Sequence, residues 1–172
     1  MPTLRDELRQ RLTGRVCLVG IGNPERGDDA FGLRLAEAVR DLGYPDVILA
    51  ERTPERWIAC LARGGFQTIV FLDAVRMNMN TAPGGAVFLE GAEIAARYPQ
   101  VSTHKLSLGT IARVIEAQGP TRVFLLGVQA QSGADGAELS APVRTTLEIL
   151  RDLLVETLAI GTKPLTVCGE RV

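Results

Sequence analysis

The sequence predicts an α/β domain with a doubly wound, mainly parallel sheet of about five strands and helices on both faces. Near-continuous apolar runs such as Val16–Ile21, 68–72 and 123–128 read as strands buried on both sides. Between them lie stretches whose apolar residues recur every three or four positions, the mark of amphipathic helices. Right-handed crossovers then wind such units into one domain.

Taken in order, residues 1–13 form an extra N-terminal helix, ahead of a core over 16–158 and a tail over 159–172. The first strand, Val16 to Ile21, meets the turn residues Gly22, Asn23 and Pro24. A helix from about Phe31 to Leu42 follows, with Phe31, Leu35, Ala38, Val39 and Leu42 on its buried side and Gly43 as its stop. Val47–Ala50 is the second strand. Thr53 then caps a helix with Pro54 at its first position, Trp57, Ile58 and Leu61 in the core, and Gly64-Gly65 at its end. The third strand, Thr68 to Asp73, is β-branched and aromatic and closes on an acid. A short strand over Ala86–Leu89 precedes a helix from about Leu106 to Gln118 that buries Leu108, Ile111, Ala112 and Ile115. Val123–Val128 is the last strand. The final helix begins near Ser140, with Pro142 in its first turn and Val143, Leu147, Leu150 and Leu154 inside.

Composition narrows the function classes. The 172 residues carry 19 Lys and Arg against 20 Asp and Glu, a net charge of −1, with no basic block. A nucleic-acid partner is therefore not expected. No apolar run approaches the roughly 20 residues a membrane span requires. The charged N-terminus lacks the apolar segment of a secretory signal. Cys17, Cys60 and Cys168 are odd in number and far apart, with Cys17 and Cys60 expected as small buried hydrophobes. These features together suggest a cytoplasmic protein.

In a doubly wound sheet, ligands bind beyond the carboxyl ends of the strands, so the loops there carry the candidates. The first runs Gly20-Ile21-Gly22-Asn23-Pro24-Glu25-Arg26-Gly27-Asp28-Asp29. Its glycines suggest phosphate binding, but Glu25 stands at the third glycine of the dinucleotide fingerprint. Asp28 and Asp29 likewise replace the lysine and hydroxyl of a P-loop, and two carboxylates repel phosphate. One of the two acids is expected to cap the helix that follows. The second candidate is Asp73, costly to bury at a strand end unless it faces a ligand crevice or a partner. The third is His104, the only histidine, in a polar loop ahead of an amphipathic helix. Two carboxylates and an imidazole suit a first-row divalent ion with positions left open. Spacing alone leaves open whether the three converge.

Gly20–Asn23 with Gly27–Gly32 resembles the opening motif of the [NiFe]-hydrogenase maturation endopeptidases. Phe71–Ala74, Ser102–Leu108 and Leu126–Gln129 resemble three further segments of that family, in the same order. The resemblance implies an endopeptidase that removes a C-terminal peptide from a hydrogenase large-subunit precursor after nickel insertion. It places the metal contacts on Asp29, Asp73 and His104, and the substrate loops around Gly22, Asn23, Gly27, Asp28, Thr53 and Gln129. It also implies nickel carried by the substrate, no tightly bound metal of the enzyme's own, and a monomer. The catalytic role of any residue beyond the metal contacts stays open. One departure stands out: where many members have Gly-Gly-Thr or Gly-Gly-Ser after the second strand, this chain has Glu51-Arg52-Thr53. Glutamate resists backbone conformations that glycine accepts. That change keeps a second reading alive, a non-cleaving chaperone for the metal-loaded precursor.

Overall fold

Alternation decides the layering. In a computed structural model describing residues 1–78, 80–97 and 106–160, successive strand residues point to opposite faces of one sheet. Val70 and Leu72 of β3 (Thr68–Val75) join one core cluster, and Ile69, Phe71 and Val75 join another. The first cluster is closed by α1 (Leu4–Arg11), α2 (Phe31–Asp41) and α6 (Ala141–Thr157). The second is closed by α3 (Ile58–Arg63), α4 (Gly91–Arg97) and α5 (Leu108–Glu116). The result is an α/β domain with helices on both faces of the sheet, as the sequence predicts.

Among the described residues the sheet has five strands in the order β2-β1-β3-β5-β4. β1 (Val16–Ile21), β2 (Val47–Glu51), β3 and β5 (Arg122–Gln129) run parallel. β4 (Ala86–Glu90) is an antiparallel edge strand on β5. The chain leaves β1 through α2 toward β2, then returns through α3 on the other face to β3. The boundary between β1 and β3 is therefore the switch point at which such sheets open a ligand crevice.

Most elements fall where periodicity puts them, and the differences have local causes. α4 follows β4 directly, its start held by the Glu93 carboxylate accepting from the Glu90 amide at 2.9 Å. Its seven residues are too few to show a helical repeat in sequence. Leu42 is exposed because α2 ends at Asp41, and Leu147 is only half-buried on α6. Trp57 and Ile58 also sit half-buried. Thr53 does not cap a helix with its side chain, and Pro54–Trp57 forms a 3₁₀ turn ahead of α3. Cys17 is buried in the core, its thiol pushed up to about 12 by burial first and by nearby negative charge second. Cys60, expected inside, lies exposed on α3. His104, Cys168 and most of the tail lie outside the described residues.

Candidate active site

Backbone proximity builds the site before any side chain acts. Beyond β1 the chain turns at Gly22, whose φ of +137° suits glycine and whose missing side chain leaves room for the Asp29 carbonyl. At the start of α2, a methyl on Gly32 would collide with the Leu72 carbonyl oxygen. Gly22 thus lets the β1–α2 loop fold back on itself, and Gly32 lets the start of α2 lie directly on the end of β3. That loop ends in a 3₁₀ turn, Gly27–Ala30, which carries both acids.

The acids diverge. Asp28 is fully buried, and its carboxylate accepts four hydrogen bonds from the β5–α6 loop. The Gln131 and Ser132 amides donate to Oδ2 at 2.8 and 2.9 Å, and the Ser140 hydroxyl donates to the same oxygen at 2.8 Å. The Ser140 amide donates to Oδ1 at 2.7 Å. Burial alone would raise the pKa of this group, but the bonds from Ser132, Ser140 and Gln131 outweigh it and hold the pKa below the usual carboxylate value. Asp28, a candidate for the substrate groove or its loops, gives its oxygens to the protein's own donors. Neither acid caps a helix: no side-chain cap bond is made at the 3₁₀ turn or at α2.

Asp29, half-buried, lies close enough to Asp73 for its charge to act there. Asp73 is 6% exposed near the end of β3, in register with Gly127 of β5. Burial first, and the Asp29 charge second, push its pKa well above the carboxylate range, with only the Ala74 amide opposing them. A buried acid beside a like charge has a raised pKa because neither environment tolerates its ionised form. A cation docking between the two would stabilise both ionised carboxylates, so this pair is the part of the site suited to a metal. Among the described residues, no group of three His, Cys, Asp or Glu side chains gathers as a metal site. His104, the third candidate, lies outside the described residues.

The other candidates shape the loops. Gln129, at the end of β5, accepts from the Met77 amide at 2.7 Å and donates to the Ala130 carbonyl at 3.0 Å, tying the post-β3 loop down. Asn23 accepts from the Glu25 amide at 3.0 Å in a side-chain turn. With Gly27 it borders a groove of about 970 Å³ between the β1–α2 and β5–α6 loops, whose walls also include Arg26, Arg34 and Arg144. Thr53 borders a separate recess of about 450 Å³ with Glu51 and Trp57. Glu51 holds a φ of +51°, the left-handed region, while its carbonyl accepts from the Gly22 amide at 2.9 Å. The backbone thus keeps, at Glu51, a conformation that glycine takes without strain.

Among solved structures, the chain is similar to a [NiFe] hydrogenase maturation protease, HycI from Thermococcus kodakarensis. Identity is 30% and the TM-score 0.76, over 89% of this chain and 99% of that one. The chain belongs to the [NiFe] hydrogenase maturation protease family. As a member it is an endopeptidase. The hydrogenase maturating endopeptidase HybD from E. coli shares the fold at 22% identity and a TM-score of 0.71, over 85% of this chain and 93% of its own. HybD from Thermococcus kodakarensis does so at 23% and 0.69, over 85% and 99%. No protein-family model and no curated protein matches the chain. For this maturation protease, the carboxylates at the switch point are the part of the fold where a metal-dependent reading has to be tested.

Sequence reasoning missed the role of Asp28. Its partners lie 103 to 112 residues away, and no local pattern announces them.

Proposed function

We propose that this maturation protease removes a C-terminal peptide from a hydrogenase large-subunit precursor in the cytoplasm, after nickel has been inserted. Nickel, carried by the substrate, is recognised through Asp29, Asp73 and His104. The observation that supports the reading best is Asp73, buried beside a second carboxylate at the switch point. Such a pair is unfavourable without a cation, and a metal-loaded substrate supplies one. Recognition of the metal then makes cleavage conditional on loading. His104 stands three residues ahead of Ser107, which caps α5 on the sheet face shared by Phe71 and Val75. Alternation along β3 puts Asp73 on that same face. The bound metal can polarise the scissile carbonyl or orient the substrate.

Intact mass of nickel-loaded and nickel-free precursors, before and after incubation with the protein, tests the reading. Loss of a C-terminal peptide from the loaded precursor alone is expected. Equal loss from both would remove the nickel requirement, and loss from neither would remove the activity.

A further inference from the structure

The four bonds to Asp28 join two loops that are otherwise far apart in sequence. Around them, the Gly27 amide donates to the Ala137 carbonyl at 3.0 Å, the Asp28 amide to Ser132 at 2.8 Å, and the Gly136 amide to Glu25 at 2.7 Å. The β5–α6 loop is thus strapped to the 3₁₀ turn at several points, with one buried carboxylate at the centre. Ser140 gives its hydroxyl to Asp28 instead of capping α6. The residue next to Asp28 is Asp29, and the turn that holds one fixes the backbone of the other.

We propose that Asp28 is a positioning residue for the cleavage reaction, setting the direction of Asp29 toward Asp73 by anchoring the 3₁₀ turn to the β5–α6 loop. The idea rests on the function proposed above. Asp28 touches no substrate; its carboxylate is consumed by the protein's own donors. An amide in its place presents a donor where a carboxylate oxygen accepted, so at least one bond must be lost or reversed. The turn then shifts, and a misplacement of about 1 Å near reacting groups costs about a hundredfold in rate.

The test compares wild type, Asp28→Asn and Ser140→Ala on nickel-loaded and nickel-free precursor, with melting temperature and amide hydrogen exchange at Gln131, Ser132 and Ser140 measured alongside. Wild type is read first: if it releases no peptide, the proposed function fails before the variants are considered. Where wild type cleaves, Asp28→Asn is expected to stay folded at the assay temperature and lose about a hundredfold in rate. Its preference for the nickel-loaded precursor should shrink and the three amides should exchange faster. A loss of folded protein alone would leave the nickel preference of the remaining enzyme unchanged. Ser140→Ala, which deletes one bond of four, is expected to fall between the two. Wild-type rate and nickel preference in Asp28→Asn, with the three amides exposed, would overturn the proposal. So would a loss of rate with those amides still protected. If Asp28→Asn does not fold, Ser140→Ala decides on the same two readouts.

Discussion

Asp28 and Asp73 are both buried carboxylates at the same edge of the sheet, yet their surroundings push them in opposite directions. Asp28 meets four donors whose bonds outweigh its burial, so its charge is stabilised. Asp73 meets a second carboxylate and one opposing amide, so its charge is penalised. Burial alone therefore says little about function. The distinction lies in whether the protein supplies the partner or leaves it to be supplied by something else.

The largest effect should follow from removing the acid whose ionisation is penalised. Asp73→Asn is expected to lower processing of nickel-loaded precursor by at least about a hundredfold, read by intact mass. At neutral pH the same variant should melt higher than wild type, since it removes a carboxyl group whose ionisation the fold disfavours. A lower melting temperature would mean that Asp73 has a stabilising partner and would break the contrast.

Asp28→Ala should do the reverse to stability. Three backbone amides and a hydroxyl lose their acceptor, and the loss is expected to be about 3 kcal/mol. That corresponds to about 6–12 °C in melting temperature for a domain of this size. A change within the experimental error of wild type would show that water replaces the carboxylate at no cost.

The pH dependence sharpens the comparison, because the two groups carry opposite signs. Asp28 has a depressed folded pKa, so its stabilisation is present above the unfolded value of 3.8 and fades as pH falls through the folded one. Asp73 has a raised folded pKa. Its penalty is absent below 3.8, grows as pH rises toward the folded value, and is constant above it. Melting curves at several pH values should therefore show Asp73→Asn gaining on wild type as pH rises. The deficit of Asp28→Asn should shrink only in acid. Parallel curves for wild type and Asp73→Asn across this range would contradict the raised pKa.

The smallest expected effect concerns Glu51. Its left-handed backbone costs about 1–2 kcal/mol in a non-glycine residue, against about 0.5–1 kcal/mol that glycine costs in unfolded-chain entropy. Glu51→Gly is thus expected to stabilise by about 0.5–1 kcal/mol, measured by denaturant unfolding. Destabilisation would show that the Glu51 side chain makes a contact worth more than the strain.

Strands were legible because burial on both faces leaves an uninterrupted apolar run, as in Val123–Val128, with Asp73 standing out at the end of another. Helices α2, α5 and α6 were legible from a repeat several turns long. The antiparallel sense of β4 was not, since its five residues carry no directional signal. Cys60 reads as buried within Ile58-Ala59-Cys60-Leu61, yet α3 turns it outward while Leu61 faces the core. In the site, Asp29 and Asp73 were recognisable by type and position, and the fold brings them together. The bonds that Asp28 and Gln129 make within the protein were not legible, because their partners come from distant loops that only the folded chain assembles.

The central claim is that the acid pair, with His104, reads the nickel of the substrate. Cleavage of nickel-loaded and nickel-free precursor by wild type, Asp29→Asn, Asp73→Asn and His104→Ala, followed by intact mass, tests it most directly. The account predicts peptide release by wild type from the loaded precursor alone, and none by any of the three variants although each remains folded. Wild-type cleavage by Asp73→Asn, or equal cleavage of both precursors by wild type, would contradict it.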